Sequence, residues 1–240
     1  MSPARSPGNG RTDPRESSLP ASGAGSGPGR FRLVAFDMDG TLTRDPSSWV
    51  RLHRHFGTLD VGDRNLALYA ARRIGYREFV RRDVRAWMEA RGRVHLSEVE
   101  RVLGSGRLAP GAARTLRELH GRGVETAIVS SGVDLMARKV AERLGIGHVR
   151  ANGLETDPEG YLTGEPDGSG VDPRGKDRVL RALCRKLSLE PVNAVAVGDS
   201  RYDARFLKAA GLGVAVAGDE ELERVADARI SRLEELLRWF

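Results

Sequence analysis

The stretch Arg32–Asp45, RLVAFDMDGTLTRD, decides how the rest of this 240-residue chain reads. A short apolar run drives straight into Asp37, and a second carboxylate, Asp39, follows two residues later. A strand ending in carboxylates carries charge to the edge of a sheet, which is a poor arrangement for stability alone. Gly40 marks a sharp turn directly after them, a conformation glycine adopts at little steric cost.

Further apolar runs follow at Val124–Ser130, His148–Asn152, Val192–Asp199 and Leu212–Ala217, with Ala228–Ser231 a candidate sixth. Between them lie helical patterns at Gly111–Arg122, Asp134–Leu144, Lys176–Leu187 and Tyr202–Ala210. In the third of these, Val179, Leu180, Leu183, Cys184 and Leu187 share one face. Strands alternating with helices predict an α/β fold, a parallel sheet with helices on both faces. One segment breaks the alternation. From Asp45 to Arg107 there is no clear strand, only helical stretches at Trp49–Phe56, Arg64–Arg73, Tyr76–Ala90 and Leu96–Leu103. An insertion of that length directly after the first strand reads as a cap or lid. The expected division is a tail at 1–30, a core at 31–44 plus 108–240, and a helical cap at 45–107.

Composition narrows the function classes. The chain is 40% hydrophobic and 30% charged, and no apolar run approaches the roughly 18 residues of a membrane span. Residues 1–30 are Pro, Gly, Ser and Arg with almost no apolar content and no h-region, which predicts a disordered tail and no secretory signal. A single cysteine, Cys184, excludes an intramolecular disulfide and fits a cytoplasmic location. The net charge of +6 comes almost entirely from arginine, since only Lys139, Lys176, Lys186 and Lys208 are lysines. Such a charge can attract nucleic acid. The arginines are nevertheless interleaved with acids along the whole chain, without the aromatic neighbours that stack on bases. A nucleic-acid-binding module using the Arg-rich tail is therefore the weaker, non-enzyme reading. Oligomeric state has no signature in the sequence.

In an open parallel sheet, ligands bind beyond the carboxyl ends of the strands. The first strand delivers Asp37, Asp39 and Thr41 to that pole; the second delivers Ser130, Ser131 and Gly132; the fourth delivers Asp199, with Asp203 one helical turn on. Clustered carboxylates repel one another unless a cation sits among them. Hard oxygen ligands favour Mg²⁺, and Mg²⁺ points to a phosphate substrate. Ser130 and the amides around Gly132 are expected to open a helix and form an anion site. Lys176, at the start of its helix, is the lysine placed to complete the charge balance.

DMDGTL, IVSSG, a lysine opening a helix and GDSRYD, in that order, resemble the four motifs of the haloacid dehalogenase (HAD) superfamily. The resemblance runs from about Phe31 to Phe240, and the inserted helices sit where the C1 cap of that superfamily sits. ANGLETDPEGYLTGE and the ungapped spacing from Lys176 to Asp199 are similar to the phosphoserine phosphatase branch. The resemblance implies a Rossmann-like core with a helical C1 cap, acting on a small phosphorylated metabolite. It implies Asp37 as nucleophile, forming an aspartyl phosphate, Asp39 as general acid and base, and Lys176 as charge neutraliser. It places Ser130, Ser131, Gly132 and Thr41 around the phosphate, and Mg²⁺ on Asp37, the Asp39 carbonyl, Asp199 and Asp203. Arg81 and Arg82 are the cap candidates for substrate contact.

The chain departs from that branch where free phosphoserine would be held, with Pro46 at the place of a glutamate and Asp83 at that of an arginine, although a shifted alignment would bring Arg81, Arg82 or Arg85 to the second place. A small phosphomonoester other than phosphoserine is accordingly expected. Phosphoserine phosphatase activity proper, and phosphotransfer or phosphomutase chemistry, are the alternatives. His53 and His55, two apart, point to different helix faces and make poor metal partners, while Trp49, Phe56, Tyr76, Phe79 and Trp87 are expected to form the core of the cap.

Overall fold

Leu33–Phe36 (β1) becomes the centre of the sheet because all four of its side chains are buried, two on each face. It pairs in parallel with Glu125–Val133 (β2) on one side and Ala194–Gly198 (β5) on the other. The remaining strands are His148–Thr156 (β3), Leu162–Asp167 (β4), Leu212–Val216 (β6) and Ala228–Ile230 (β7). The order across the sheet is β4-β3-β2-β1-β5-β6-β7, and only the β3–β4 pair is antiparallel. The computed structural model describes residues 29–240 apart from 46, 105, 169 and 217. Residues 1–28 of the expected tail, with any role of it in nucleic-acid binding, and Pro46 fall outside the described residues.

Burial on both faces explains why the strands read as continuous apolar runs. Val34, Phe36, Ile128, Val195 and Val197 belong to the layer that includes Ala112–Gly121 (α5), Asp134–Leu144 (α6) and the C-terminal 3₁₀ segment Leu233–Trp239. Leu33, Ala35, Ala127, Val129 and Ala196 belong to the opposite layer, with Lys176–Lys186 (α7) and Ala204–Lys208 (α8). Cys184 is fully buried in that second layer, as its helical face predicted.

Four helices stand between β1 and α5: Ser48–Phe56 (α1), Leu59–Ala70 (α2), Tyr76–Arg91 (α3) and Leu96–Leu103 (α4). α1 starts where the Ser47 side chain accepts from Val50 N–H, and stops at Gly57, whose φ of 69° is open to glycine at no steric cost. Trp49, Phe56, Phe79 and Trp87 are buried among these helices, with Trp87 stacked between Trp49 at 5.7 Å and Phe56 at 5.6 Å. Two long side chains tie the helices to the carboxyl end of β2. Trp49 Nε1–H and Tyr76 O–H both donate to Ser131 O at 2.8 Å.

Several elements differ from the sequence expectation, α2 among them, which spans Leu59–Ala70 and not Arg64–Arg73. β3 continues to Thr156 and turns back as β4, whose Gly164 and Pro166 disguise a strand. The helix expected at Tyr202–Ala210 divides into a 3₁₀ turn at Arg201–Asp203 and the short α8, because Asp203 Oδ2 accepts from the Ser200 amide and hydroxyl at 3.3 Å. A one-turn helix, Glu220–Glu223 (α9), forms where no periodic pattern announced one. Among the described residues, no helix is long and apolar enough to cross a membrane.

Candidate active site

The chain leaves β1 still bonded to the sheet, with Asp37 N–H donating to Val197 O at 2.8 Å. It then turns at Gly40, φ 80°, where a Cβ would collide with the Asp199 carboxylate. That close approach, as much as the turn, requires glycine. Asp199 follows β5 directly, so the acids ending β1 and β5 meet where the strand order reverses direction, the crevice in which open α/β sheets bind ligands.

Lys176, at the first position of α7, is 2% exposed and lies between two acids. Its Nζ is 2.8 Å from Asp37 Oδ1 and 2.6 Å from Asp203 Oδ1. Burial works against its charge, but Asp203 and Asp37 together outweigh that and hold its pKa above the ordinary lysine value. Arg174, two residues earlier, instead donates to the carbonyls of Tyr69 and Ala70.

Asp39 is oriented from the inserted helices. Ser48 donates to its Oδ2 twice, from the backbone N–H at 2.9 Å and the hydroxyl at 2.8 Å, while Oδ1 is buried without a partner. The same hydroxyl accepts from Val133 N–H at 3.1 Å, clamping β1, β2 and α1 together. Gly132 faces this clamp, since a Cβ there would lie 2.6 Å from both Asp39 Oδ2 and Ser48 Oγ.

Ser130 Oγ accepts from Gly132 N–H at 2.9 Å, leaving the hydroxyl proton free to donate. The helix expected to open here begins later: β2 continues to Val133, and α6 starts at Asp134. Ser131 Oγ is buried without a partner, and its carbonyl collects Trp49, Tyr76 and Asn152. Thr41 is 1% exposed and donates to Asp199 Oδ1 at 2.9 Å, so it holds an acid and does not line the cavity as the expected phosphate contact.

Asp37, Asp39, Ser130, Ser131, Gly132, Lys176 and Asp199 converge on one cavity of about 300 Å³, closed over by α1–α3. Arg81 and Arg82 are not brought there. Arg81 Nε donates to Glu165 on β4 at 2.8 Å, and Arg82 Nε to Glu78 at 2.8 Å, both outside the cavity. Glu165, 84 residues along the chain from Arg81, satisfies the guanidinium on the outer side of α3.

Ser48 and Asn152 carried no signal. Ser48 lies in an unremarkable Pro-Ser-Ser helix start. Asn152 Nδ2 donates to the Ser131 and Tyr76 oxygens at 2.8 and 2.9 Å, and its Oδ1 accepts from Val171 N–H at 2.8 Å. It stitches together segments whose proximity is purely tertiary.

Oxygen atoms of Asp37, Asp199 and Asp203 lie within 4.8 Å of one another, the triad that could hold a metal ion. The Asp39 carboxylate stands outside it, on Ser48. Burial raises the Asp37 pKa well above the ordinary aspartate value, and burial followed by the charge of Asp203 pushes Asp199 up to about 6. Burial likewise raises Asp39. Fully ionised, three hard carboxylates against one ammonium carry a net double negative charge, and a divalent cation with oxygen preference fits that deficit.

The haloacid dehalogenase-like hydrolase family matches residues 34–208. A protein of Archaeoglobus fulgidus described as phosphoserine phosphatase is 32% identical over 201 residues, covering 84% of this chain but 57% of its own length. A phosphoserine phosphatase of Methanocaldococcus jannaschii is 29% identical over 224 residues, with 87% and 97% of the two chains covered. The chain thus spans little more than half of the first relative and nearly all of the second. A solved structure of a phospho-aspartyl intermediate analogue of phosphoserine phosphatase superposes with a TM-score of 0.73 at 26% identity, covering 88% of this chain and 99% of its own.

Proposed function

The chain belongs to the haloacid dehalogenase-like hydrolases, phosphoserine-phosphatase-like among them, and on that premise we propose that it is a Mg²⁺-dependent phosphomonoester hydrolase with the helices at 45–107 as its cap. One observation carries the reading. Two carboxylates, the buried Asp37 bonded to Lys176 and the half-buried Asp39 with an unpartnered Oδ1, open on the same cavity.

An oxygen of Asp37 attacks phosphorus, forming an aspartyl phosphate as the bond to the leaving alcohol breaks. Asp39, whose raised pKa suits it to carry a proton, protonates the leaving oxygen. As a carboxylate it then takes a proton from the water that attacks the aspartyl phosphate, releasing inorganic phosphate and restoring Asp37. Ser48 keeps Asp39 aimed through both half-reactions. The Ser130 hydroxyl donates to a phosphoryl oxygen, and Lys176 offsets the charge shared by Asp37 and the phosphoryl group. Mg²⁺ held by Asp37, Asp199 and Asp203 would supply further charge stabilisation at the phosphoryl oxygens.

Turnover of p-nitrophenyl phosphate with Mg²⁺ tests this, with loss on EDTA treatment and in Asp37→Asn expected. Full turnover by demetallated protein, or by that variant, refutes it. The names of the relatives make L-phosphoserine the first metabolite to include.

A further inference from the structure

The far side of the same cavity speaks to the substrate class, on the basis of the phosphatase reading above. Beyond the phosphate end its walls are apolar and aromatic, with Trp49, Val50, Leu59, Leu66, Tyr69 and Phe79 among them. Four large hydrophobic side chains are exposed among the described residues, and three of them, Leu59, Leu66 and Tyr202, line this cavity. An apolar patch gathered at one opening marks a binding surface.

The charge in these walls has one sign. Asp63 and Asp83 line the cavity, no arginine among the described residues does, and its one lysine, Lys176, is committed to Asp37 and Asp203. Nearby arginines are held elsewhere: Arg81 and Arg85 on Glu165, and Arg72, Arg73, Arg174 and Arg205 in a separate depression beyond Tyr69 and Tyr76.

Asp83 is 1% exposed, and Asn65 Nδ2 donates to its Oδ1 at 2.8 Å. Its Oδ2 lies 3.3 Å from His53 Nε2, yet neither atom makes a hydrogen bond. Trp87 Nε1–H donates to His53 Nδ1 at 3.2 Å, and the Thr58 hydroxyl lies 2.8 Å from the same nitrogen, so the ring is held from its far side. The arrangement is built in at a cost. Gly62 lies inside α2, where glycine costs about 1 kcal/mol relative to alanine, and a Cβ there would sit 2.7 Å from the His53 ring.

We propose that this cavity takes a phosphomonoester whose leaving alcohol has an apolar, aromatic-sized body and a cationic nitrogen, and no carboxylate. An ammonium between ring faces and the carboxylates of Asp63 and Asp83 is attracted by both. A carboxylate in the same place meets like charge and finds no guanidinium, a repulsive selection.

Aryl phosphates whose leaving groups share one para-alkyl phenol core isolate each feature. With Mg²⁺, kcat/KM for tyramine O-phosphate should exceed that for 4-ethylphenyl phosphate, which lacks the nitrogen, by about tenfold or more. O-phospho-L-tyrosine, which adds only a carboxylate, should fall below tyramine phosphate by a similar factor. O-phosphoethanolamine should likewise outrun L-phosphoserine. Asp83→Asn and the exposed Asp63→Asn should each shrink the tyramine-to-ethylphenyl ratio, the second without risk to folding. Equal rates for those two substrates, or preference for either carboxylate-bearing one, overturns the inference and leaves the phosphatase reading standing. No turnover of any of these compounds or of p-nitrophenyl phosphate overturns both.

Discussion

Replacing Lys176 by methionine removes the one positive charge between two buried acids while keeping most of the side-chain volume. In the wild type, Nζ bridges Asp37 Oδ1 and Asp203 Oδ1 at 2.8 and 2.6 Å. Without it, two carboxylates with oxygens inside a 4.8 Å cluster face each other at 7% and 0% exposure. At an effective dielectric of about 20, unit charges at that separation repel by roughly 3 kcal/mol. This agrees with the ~3–5 kcal/mol that breaking a buried ion pair costs. For a chain of this size, a loss of about 3 kcal/mol lowers Tm by roughly 6–12 °C. The assay is thermal unfolding of demetallated wild type and Lys176→Met side by side, at neutral pH and again under acid. Burial already raises the Asp37 pKa and Lys176 lowers it, so in the variant Asp37 takes up a proton more readily as pH falls; the repulsion exists only while it is ionised, and the gap should narrow on acidification. Millimolar Mg²⁺ should narrow it too, by restoring positive charge to the cluster. A variant melting within about 2 °C of wild type at neutral pH without metal would refute the charge argument.

Other predictions concern the residues that aim the acids. Asp37→Asn should form no protein-bound phosphate, whereas Asp39→Asn keeps the nucleophile and should trap phosphate from an activated aryl ester; rapid quenching with radiolabelled substrate separates them. Ser48→Ala deletes a bond to Asp39 and the acceptor of Val133 N–H, which should cost about 1–3 kcal/mol in denaturant titration and lower kcat more than it raises KM. Gly132→Ala puts a methyl group 2.6 Å from Asp39 Oδ2 and Ser48 Oγ. It should cut kcat at least tenfold in a protein whose circular dichroism is unchanged, and wild-type turnover there would mean that the Ser48–Asp39 clamp does not matter.

The sequence by itself determined the sheet and the polarity of its active end. β1, β2 and β5 are buried on both faces, so their apolar runs could be read without knowing their neighbours, and the acids and serines following them fell on one pole by topology alone. Lys176 was legible for a similar reason, since its place at the start of α7 fixes which end of the sheet it reaches. The inserted helices were legible as helices, because period is local. Which way their side chains turn was not. Arg81 lies two residues from both Phe79 and Asp83, so on α3 it faces away from them, toward Glu165 while they face the cavity, and which of the two faces turns to the cavity depends on a hairpin, β3–β4, whose second strand has almost no local signature. Ser48 and Asn152 became parts of the site only when strands and helices distant in sequence were brought within hydrogen-bond reach. Only tertiary structure decided the sign of the cavity, because a wall's charge depends on which acids and arginines are paired elsewhere, and that pairing is settled by contacts across the fold.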